Sequence, residues 1–421
     1  MSHVLDERIE YAIEQLWLNP IEGDGNKAKA MLEEAANEGN GDACFFLGRC
    51  YLGECFVHPR FGFEEDFDKG MEYFNKSISL GSAIGMFGTR RLSGFQPIGD
   101  TYIHPPYNSN REIWDAVKDL AEKGQVFCQY MLGNAYYYGD CIEMMEIPDE
   151  EVNNALIQAF QNKAIELFQK SIDNGLTMAI SNLIDIITSG DYGIPVDQKR
   201  TDQLKKRGAE LNEAYYECEY AKMLHDDNLE EAVQYYERSI AHGCPNAYFP
   251  LGKLYAKGDK IPQDTKKAIT YFEKGIESQT HWRGCMNQLG ELYFHGRNDL
   301  APDYEKAFSL FSKVIDENDW CSDMLGHCYL KGLGTEVDYE AARKHFLVYP
   351  KEELSAIGLG EIYCFGLGVK QNIATLFGWK QNNLLEQHLP FYTINRKSRL
   401  RRTCHSWYNK LSRLPLKTQK S

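Results

Sequence analysis

The side chains able to do chemistry are spaced in ways that argue against an active site. The one tight group of metal-ligand types is Cys321, His327 and Cys328. Cys321 and Cys328 stand at i, i+7 and would share a helix face. A zinc site, however, needs four convergent ligands, and no Cys-x-x-Cys or His-Glu-x-x-His supplies the others. His327 stands where Lys253, Glu291 and Glu361 stand in parallel segments, so it reads as a surface side chain. Gly-Leu-Gly occurs at 332–334 and 366–368, each time after a helical segment. A nucleotide loop would join a strand to a helix, so neither is one. No spacing of Ser, His and Asp suggests a hydrolytic set, and Ser-x-x-Lys occurs nowhere. The expectation is no catalytic residue, no cofactor and no metal.

The glycines belong to something larger. Leu-Gly-x-x-Tyr-x-x-Gly appears at Leu251-Gly252/Tyr255/Gly258, Leu289-Gly290/Tyr293/Gly296, Leu325-Gly326/Tyr329/Gly332 and Leu359-Gly360/Tyr363/Gly366, in steps of 38, 36 and 34 residues. Further copies lie at Leu132-Gly133/Tyr136/Gly139 and, worn, at Leu47-Gly48/Tyr51. A fixed period in this range marks stacked helical units, each unable to bury its apolar face alone. The first phrase reads as a helix A. Its internal glycine costs roughly 1 kcal/mol relative to alanine, and Gly252, Gly290, Gly326 and Gly360 repeat that cost at one position. Close approach of a neighbouring helix, where a β-carbon would clash, accounts for it. Gly258, Gly296, Gly332 and Gly366 fall where helix A must end in a left-handed cap.

A second block follows each phrase: Asp264-Thr-Lys-Lys-Ala268-x-x-x-Phe272, Asp303-Tyr-Glu-Lys-Ala307-x-x-x-Phe311 and Asp338-Tyr-Glu-Ala-Ala342-x-x-x-Phe346. The register recurs at Asn228/Ala232/Tyr236, Asp66/Gly70/Phe74 and Ala164/Phe168. An Asp or Asn four residues before a small residue suits a helix start. The small residue and the aromatic, at i and i+4, share one face of this helix B. The whole pattern resembles Sel1-like repeats, relatives of the tetratricopeptide repeat, most specifically over 212–376. Residues 359–374, with Gly366-Leu-Gly-Val369, follow the consensus closely. The resemblance implies an all-α fold, a right-handed α/α superhelix of about ten helix pairs. It also implies use as an adaptor or scaffold.

The repeats are clearest over 26–81, 124–175 and 212–376 and degenerate over 82–123 and 176–211, giving a solenoid over 1–376. The fifth pair keeps Gly190, Gly193 and Asp197. The sixth has lost its turn and joins its helices through His225-Asp-Asp-Asn228. Pro250 implies a late start or a kink in helix A of the seventh. Long inserts at 53–66, 95–110 and 139–152 all fall in the first half, and inserts in repeat proteins often carry binding. The motif stops after Leu376. Residues 377–421 hold ten Lys/Arg and one Glu, leaving 36 Lys/Arg against 60 Asp/Glu in the remainder. This basic tail reads equally as a cap on the acidic repeats, as an arm for another acidic partner, or as a shifted reading frame.

A net charge of −15 argues against nucleic-acid binding by the solenoid and favours basic partners. A hydrophobic content of 43% suffices for a continuous core. No stretch has the apolar length of a membrane span. The start, Met1-Ser-His-Val-Leu-Asp-Glu-Arg, lacks a secretory signal, and the cysteines lack regular spacing. Cys128, Cys285 and Cys321 stand four before Leu, where Ala43 and Ala247 stand elsewhere, and read as small apolar residues of a reducing compartment. A cytoplasmic location follows as an expectation.

The resemblance also implies that A helices line the concave face. Positions one after Leu-Gly then point outward: Arg49, Asn134, Lys253, Glu291, His327 and Glu361, joined by Asn287 and Asp323 two before Leu. These are the candidate partner-binding residues. The expected function is a non-enzymatic scaffold taking a protein or peptide, either on that face or at the N-terminal inserts. The alternatives are a secreted effector, self-association at the C-terminal end of the stack, and an enzyme like the cysteine-rich relatives linked to β-lactam chemistry. The last would require regular disulfide pairs that the cysteine spacing does not offer.

Overall fold

Each helix B begins with the same device. The side chains of Asp66, Asp197, Asp264, Asp303 and Asp338 accept a hydrogen bond from an amide in the first turn of the helix that follows. Asn153 and Asn228 do the same. Such a cap is worth about 1 kcal/mol. The cap residue's own N–H reaches back to helix A. Asp66, Asp264, Asp303 and Asp338 donate to the carbonyls of Tyr51, Tyr255, Tyr293 and Tyr329 at 2.8–3.0 Å. Helix A meanwhile ends on a glycine in the left-handed region at Gly139, Gly190, Gly332 and Gly366. Gly258 and Gly296 also have positive φ, at 69° and 64°. The turn between the helices is therefore closed from both sides.

The structure is a computed structural model describing residues 5–371, apart from 20, 53–62, 93, 98, 100, 260, 298, 316–320 and 351. Most of the first insert, the second helix of the tenth pair and the basic tail lie outside the described residues. Residues 1–247 and 248–421 form two compact units. The first holds α1 (Glu7–Ile13) with α2 (Gly25–Asn37), α3 (Gly41–Tyr51) with α4 (Phe67–Ser79), and α5 (Ala83–Gly88) with α6 (Asn110–Glu122). It continues with α7 (Val126–Tyr138), the short α8 (Cys141–Met144) and α9 (Asn154–Asp173), then α10 (Met178–Ser189) with α11 (Gln198–Glu210) and α12 (Ala214–Leu224) with α13 (Leu229–Ala241). The second unit holds α14 (Tyr248–Lys257) with α15 (Thr265–Glu277), α16 (Trp282–His295) with α17 (Tyr304–Val314), α18 (Ser322–Lys331) with α19 (Tyr339–Phe346), and α20 (Glu353–Phe365). Pro250 sits in the first turn of α14, where no helical amide bond is lost. Among the described residues no strand forms, so the fold is the all-α helical-repeat solenoid expected.

The cost of the internal glycines has its explanation in the B helices. A β-carbon on Gly48, Gly133, Gly252, Gly290 or Gly326 would lie 2.5–2.7 Å from a ring carbon of Phe74, Phe168, Phe272, Phe311 or Phe346 respectively. All five rings are fully buried. Each ring lies flat on bare helix-A backbone, and burying it stabilises the pair by about 2–3 kcal/mol. Gly360 is buried in α20, and the residues that would supply its ring lie outside the described residues. The second glycine of each Gly-Leu-Gly turn has a different neighbour. A β-carbon on Gly334 would collide with the backbone of Tyr304, and one on Gly368 would press on Tyr339, so these turns pack against the start of the preceding helix B.

Cysteine fills tight apolar positions. Cys128, Cys285 and Cys321 are buried as expected, and Cys285 Sγ would lie 2.5 Å from a β-carbon on Gly275. Burial pushes the Cys285 and Cys328 thiols up to about 12, so they are inert neutral groups at physiological pH.

Gly290→Ala should therefore destabilise the fold by about 1–3 kcal/mol, the overpacking cost exceeding the gain in helix propensity. Adding Phe311→Leu should recover part of the loss. Urea unfolding of the single and double variants checks this. A Gly290→Ala protein as stable as the parent would contradict the ring seat.

Candidate half-buried polar row on the A helices

Once the glycine faces helix B, the leucine before it points into the core and the residue after it turns toward the next helix A. Leu251, Leu289, Leu325 and Leu359 are all buried. The residues after the glycines have diverse surroundings. Lys253 is exposed, with its ammonium 5.5 Å from the Phe249 ring. Asn134, Asn287, Glu291, Asp323, His327 and Glu361 are half-buried. Arg49 is only 8% exposed. Its guanidinium lies 5.0 Å from the Phe127 ring on α7, so it packs between elements and does not project outward.

Some of these groups are engaged with the neighbouring helix A. Asn134 accepts a hydrogen bond from Asn182 of α10. Glu361 on α20 forms an ion pair with Lys331 on α18. Others converge without an ion pair among the described residues. Glu291 accepts hydrogen bonds from the neutral amides of Asn287 at 2.9 Å and Gln288 at 3.2 Å. Burial raises the Glu291 carboxyl above the usual range, and the Asp323 charge raises it further against the amide bonds and Lys253. Burial likewise raises Asp323, whose carboxylate accepts the Met324 amide at 2.8 Å and lies within the field of Glu352. His327 packs edge-on against Phe294, ring centroids 5.8 Å apart. Burial, followed by the positive field of Lys331 and His295, lowers it to about 4, so it is neutral at physiological pH.

The structure thus brings Asn287, Glu291, Asp323 and His327 together along α16 and α18, with Lys253 at one side and the Lys331–Glu361 pair at the other. His327 is half-buried, not a plain surface side chain. Cys321 and Cys328 do not join it in a ligand set, and no group of three potential ligands is placed to hold a metal among the described residues. The row has hydrogen-bonding and charge capacity but no nucleophile activated by a base. What it can do chemically is bind.

Two features escape the spacing argument. Glu217 on α12 is fully buried and paired with Arg238 of α13 at 2.8 Å and His242, the residue that ends α13, at 2.7 Å. No motif in the sequence flags it. The lysine three residues after the cap aspartate lies over the repeat tyrosine: Lys69 over Tyr51 at 4.0 Å, Lys267 over Tyr255 at 4.7 Å and Lys306 over Tyr293 at 5.0 Å. Such contacts contribute about 0.5–1 kcal/mol each. The Lys-Ala and Lys-Gly pairs after those caps were the available signal. The inserts at 95–110 and 139–152 are tied to α5 and its continuation. Arg90 bonds Asn110 at 2.6 Å and Glu143 at 3.1 Å, and Arg91 bonds Asp140 at 2.6 Å.

Comparison with known proteins agrees with this geometry. The model of the Sel1 repeat matches nine segments, 16–40, 41–82, 126–146, 161–176, 220–244, 245–279, 284–319, 323–347 and 354–375, together more than half of the chain. A protein of Neisseria meningitidis serogroup B described as uncharacterized is 24% identical over 276 residues, 63% of this chain and 51% of its own length. The chain thus spans about half the length of that curated relative. Among solved structures, a protective antigen of uropathogenic Escherichia coli displaying an SLR fold has a TM-score of 0.47 at 19% identity, covering 98% of this chain and 96% of its own. A Sel1 repeat protein from Oxalobacter formigenes has a TM-score of 0.43 at 17% identity, covering 79% and 89%.

The row has a definite pH signature. His327 titrates near 4 in the folded chain and near its ordinary value when unfolded, so its stabilising contribution is complete above about pH 6.5 and is lost as pH falls toward 4. Glu291 and Asp323, held above their ordinary values, contribute with the opposite sign and gain as pH falls. His327→Gln should flatten the net acid sensitivity, retaining about 2 kcal/mol more of its pH 7 stability at pH 4.5 than the parent does. Urea midpoints at both pH values check the difference. Parallel losses in the two proteins would rule out the assigned role of His327.

Proposed function

Since the chain belongs to the Sel1 repeat family, whose members generally serve as protein-interaction scaffolds, we propose that it is a non-enzymatic scaffold. Its partner lies along the A-helix row of the second unit. The observation that carries this reading is the pair Glu291 and Asp323. Two carboxylates are held half-buried, repel each other and, among the described residues, are hydrogen-bonded by neutral groups and form no ion pair. Fold stability alone does not favour such a pair, because desolvated charge that is not ion-paired is costly. A lysine or arginine entering between them would remove that cost, and a basic segment of a protein partner supplies one. Asn287 offers an amide beside the pair, while Lys253 and the Lys331–Glu361 pair bound the site and disfavour a uniformly cationic ligand. We further infer a cytoplasmic setting, supported by the nine buried thiols among the described cysteines, several of them in small apolar positions.

A peptide array of basic sequences, followed by anisotropy measurements on the best binder, tests the assignment. The variant Glu291→Lys/Asp323→Lys should weaken binding at least about tenfold, the scale of losing one well-placed charge-assisted contact. The charge-matched Glu273→Lys/Glu277→Lys, two exposed charge reversals on α15, should leave it within about twofold. Equal weakening by both variants would reduce the effect to net charge. Undiminished binding by the row variant would move recognition elsewhere on the chain.

A further inference from the structure

Among the described residues of this acidic chain, the densest run of positive charge is on α11. Its thirteen residues include Lys199, Arg200, Lys205, Lys206 and Arg207 against Asp202 and Glu210. Lys205 is taken by Glu219 at 3.3 Å, and Lys206 sits 3.9 Å from Glu210. The other three line a cleft of about 470 Å³ between α9 and α11, floored by the buried Leu204. Lys199, Gln203 and Arg207 stand at i, i+4 and i+8, so they form one line along its rim. Across the cleft, Gln169 of α9 accepts a hydrogen bond from Arg200 at 2.9 Å.

The lining has two carboxylates, and each already has a role. Asp173 accepts from the Gln169 amide at 3.0 Å, and Asp197 accepts the Arg200 amide at 2.9 Å as the cap of α11. Among the described residues Arg207 forms one loose pair, 3.8 Å to Glu210, with both side chains about two-fifths exposed. Lys199 forms no ion pair among the described residues. The cleft thus holds three cations whose charge is incompletely balanced, with amide groups from Gln169 and Gln203 between them.

We propose that this cleft binds an acidic segment of a partner protein, at a surface separate from the A-helix row and opposite to it in charge. The spacing of the cations selects this ligand. Eight residues of helix separate Lys199 from Arg207 by about 12 Å, too far for one small anion to bridge. An extended chain covers that distance in about four residues, so carboxylates four residues apart meet both ends. Arg200 offers a planar fork to a carboxylate between them.

The test uses the full chain and fluorescein-labelled peptides in a Gly/Ser background, one with two glutamates four residues apart and one with glutamines there. Anisotropy at low ionic strength should show binding of the glutamate peptide alone. Lys199→Ala/Arg207→Ala, one exposed and one half-buried position, should weaken it about tenfold. The charge-matched control Lys118→Ala/Lys123→Ala on α6 should leave it within about twofold. Three results would overturn the proposal: no binding of the glutamate peptide, equal weakening by both double variants, or displacement by inorganic phosphate at the peptide's own concentration. The last would make the cleft a single-anion pocket.

Discussion

Five of the helix pairs are set by an aromatic ring lying against a helix that has no side chain beneath it. Phe74, Phe168, Phe272, Phe311 and Phe346 each occupy the space a β-carbon would take on Gly48, Gly133, Gly252, Gly290 and Gly326. A helix pays roughly 1 kcal/mol for an internal glycine, and burial of the ring returns more than that. The contact also sets the rotation of helix A about its axis. With the glycine facing helix B, the preceding leucine must enter the core and the following residue must face the adjacent helix A. The cap and the turn reinforce this orientation, because the N–H of the cap residue bonds the carbonyl of the repeat tyrosine, one turn after the glycine.

The polar row is a consequence of that orientation. A position held between two A helices is neither core nor free surface, so a charge there is partly desolvated. The chain resolves this in different ways along its length. Arg49 lies over aromatic rings, Asn134 bonds Asn182, and Lys331 neutralises Glu361. At Glu291 and Asp323 no such resolution is present among the described residues, and burial holds both carboxyls above their usual range. The same geometry that knits neighbouring units elsewhere leaves an unbalanced site here, and in this the proposed recognition position differs from the structural ones in the same motif column.

What the sequence made legible is what repeats with a local cause. Cap aspartates, left-handed glycines and the i, i+4 pairing of a small residue with an aromatic depend on neighbours a few positions away, so spacing reveals them. Gly334 and Gly368 were visible as turn glycines, but their packing on Tyr304 and Tyr339 was not, because that contact joins successive units. The burial of Arg49 and the divergent fates of Asn134, Glu291 and Glu361 have the same origin. Each depends on which side chain another unit presents, and that identity changes along the chain. Glu217 is the extreme case. Its partners Arg238 and His242 come from the sixth pair alone, so no periodicity could mark it.

The division between ring seat and variable row also explains how a degenerate unit keeps its place. The fifth pair has no Leu-Gly seat, yet Asp197 still caps α11, its amide still reaches back to the Ile187 carbonyl, and Gly190 still ends α10 in the left-handed region. The close approach has moved to another site, where a β-carbon on Gly208 of α11 would meet the Tyr216 ring of α12 at 2.5 Å. Backbone closure and one tight glycine contact are therefore enough to hold a pair in register. Freed from the consensus elsewhere, α11 carries a run of cations that no other helix B of the described chain matches. Stability resides in the residues that recur, and local charge is set by those that do not, so nearly identical pairs can present surfaces of opposite charge.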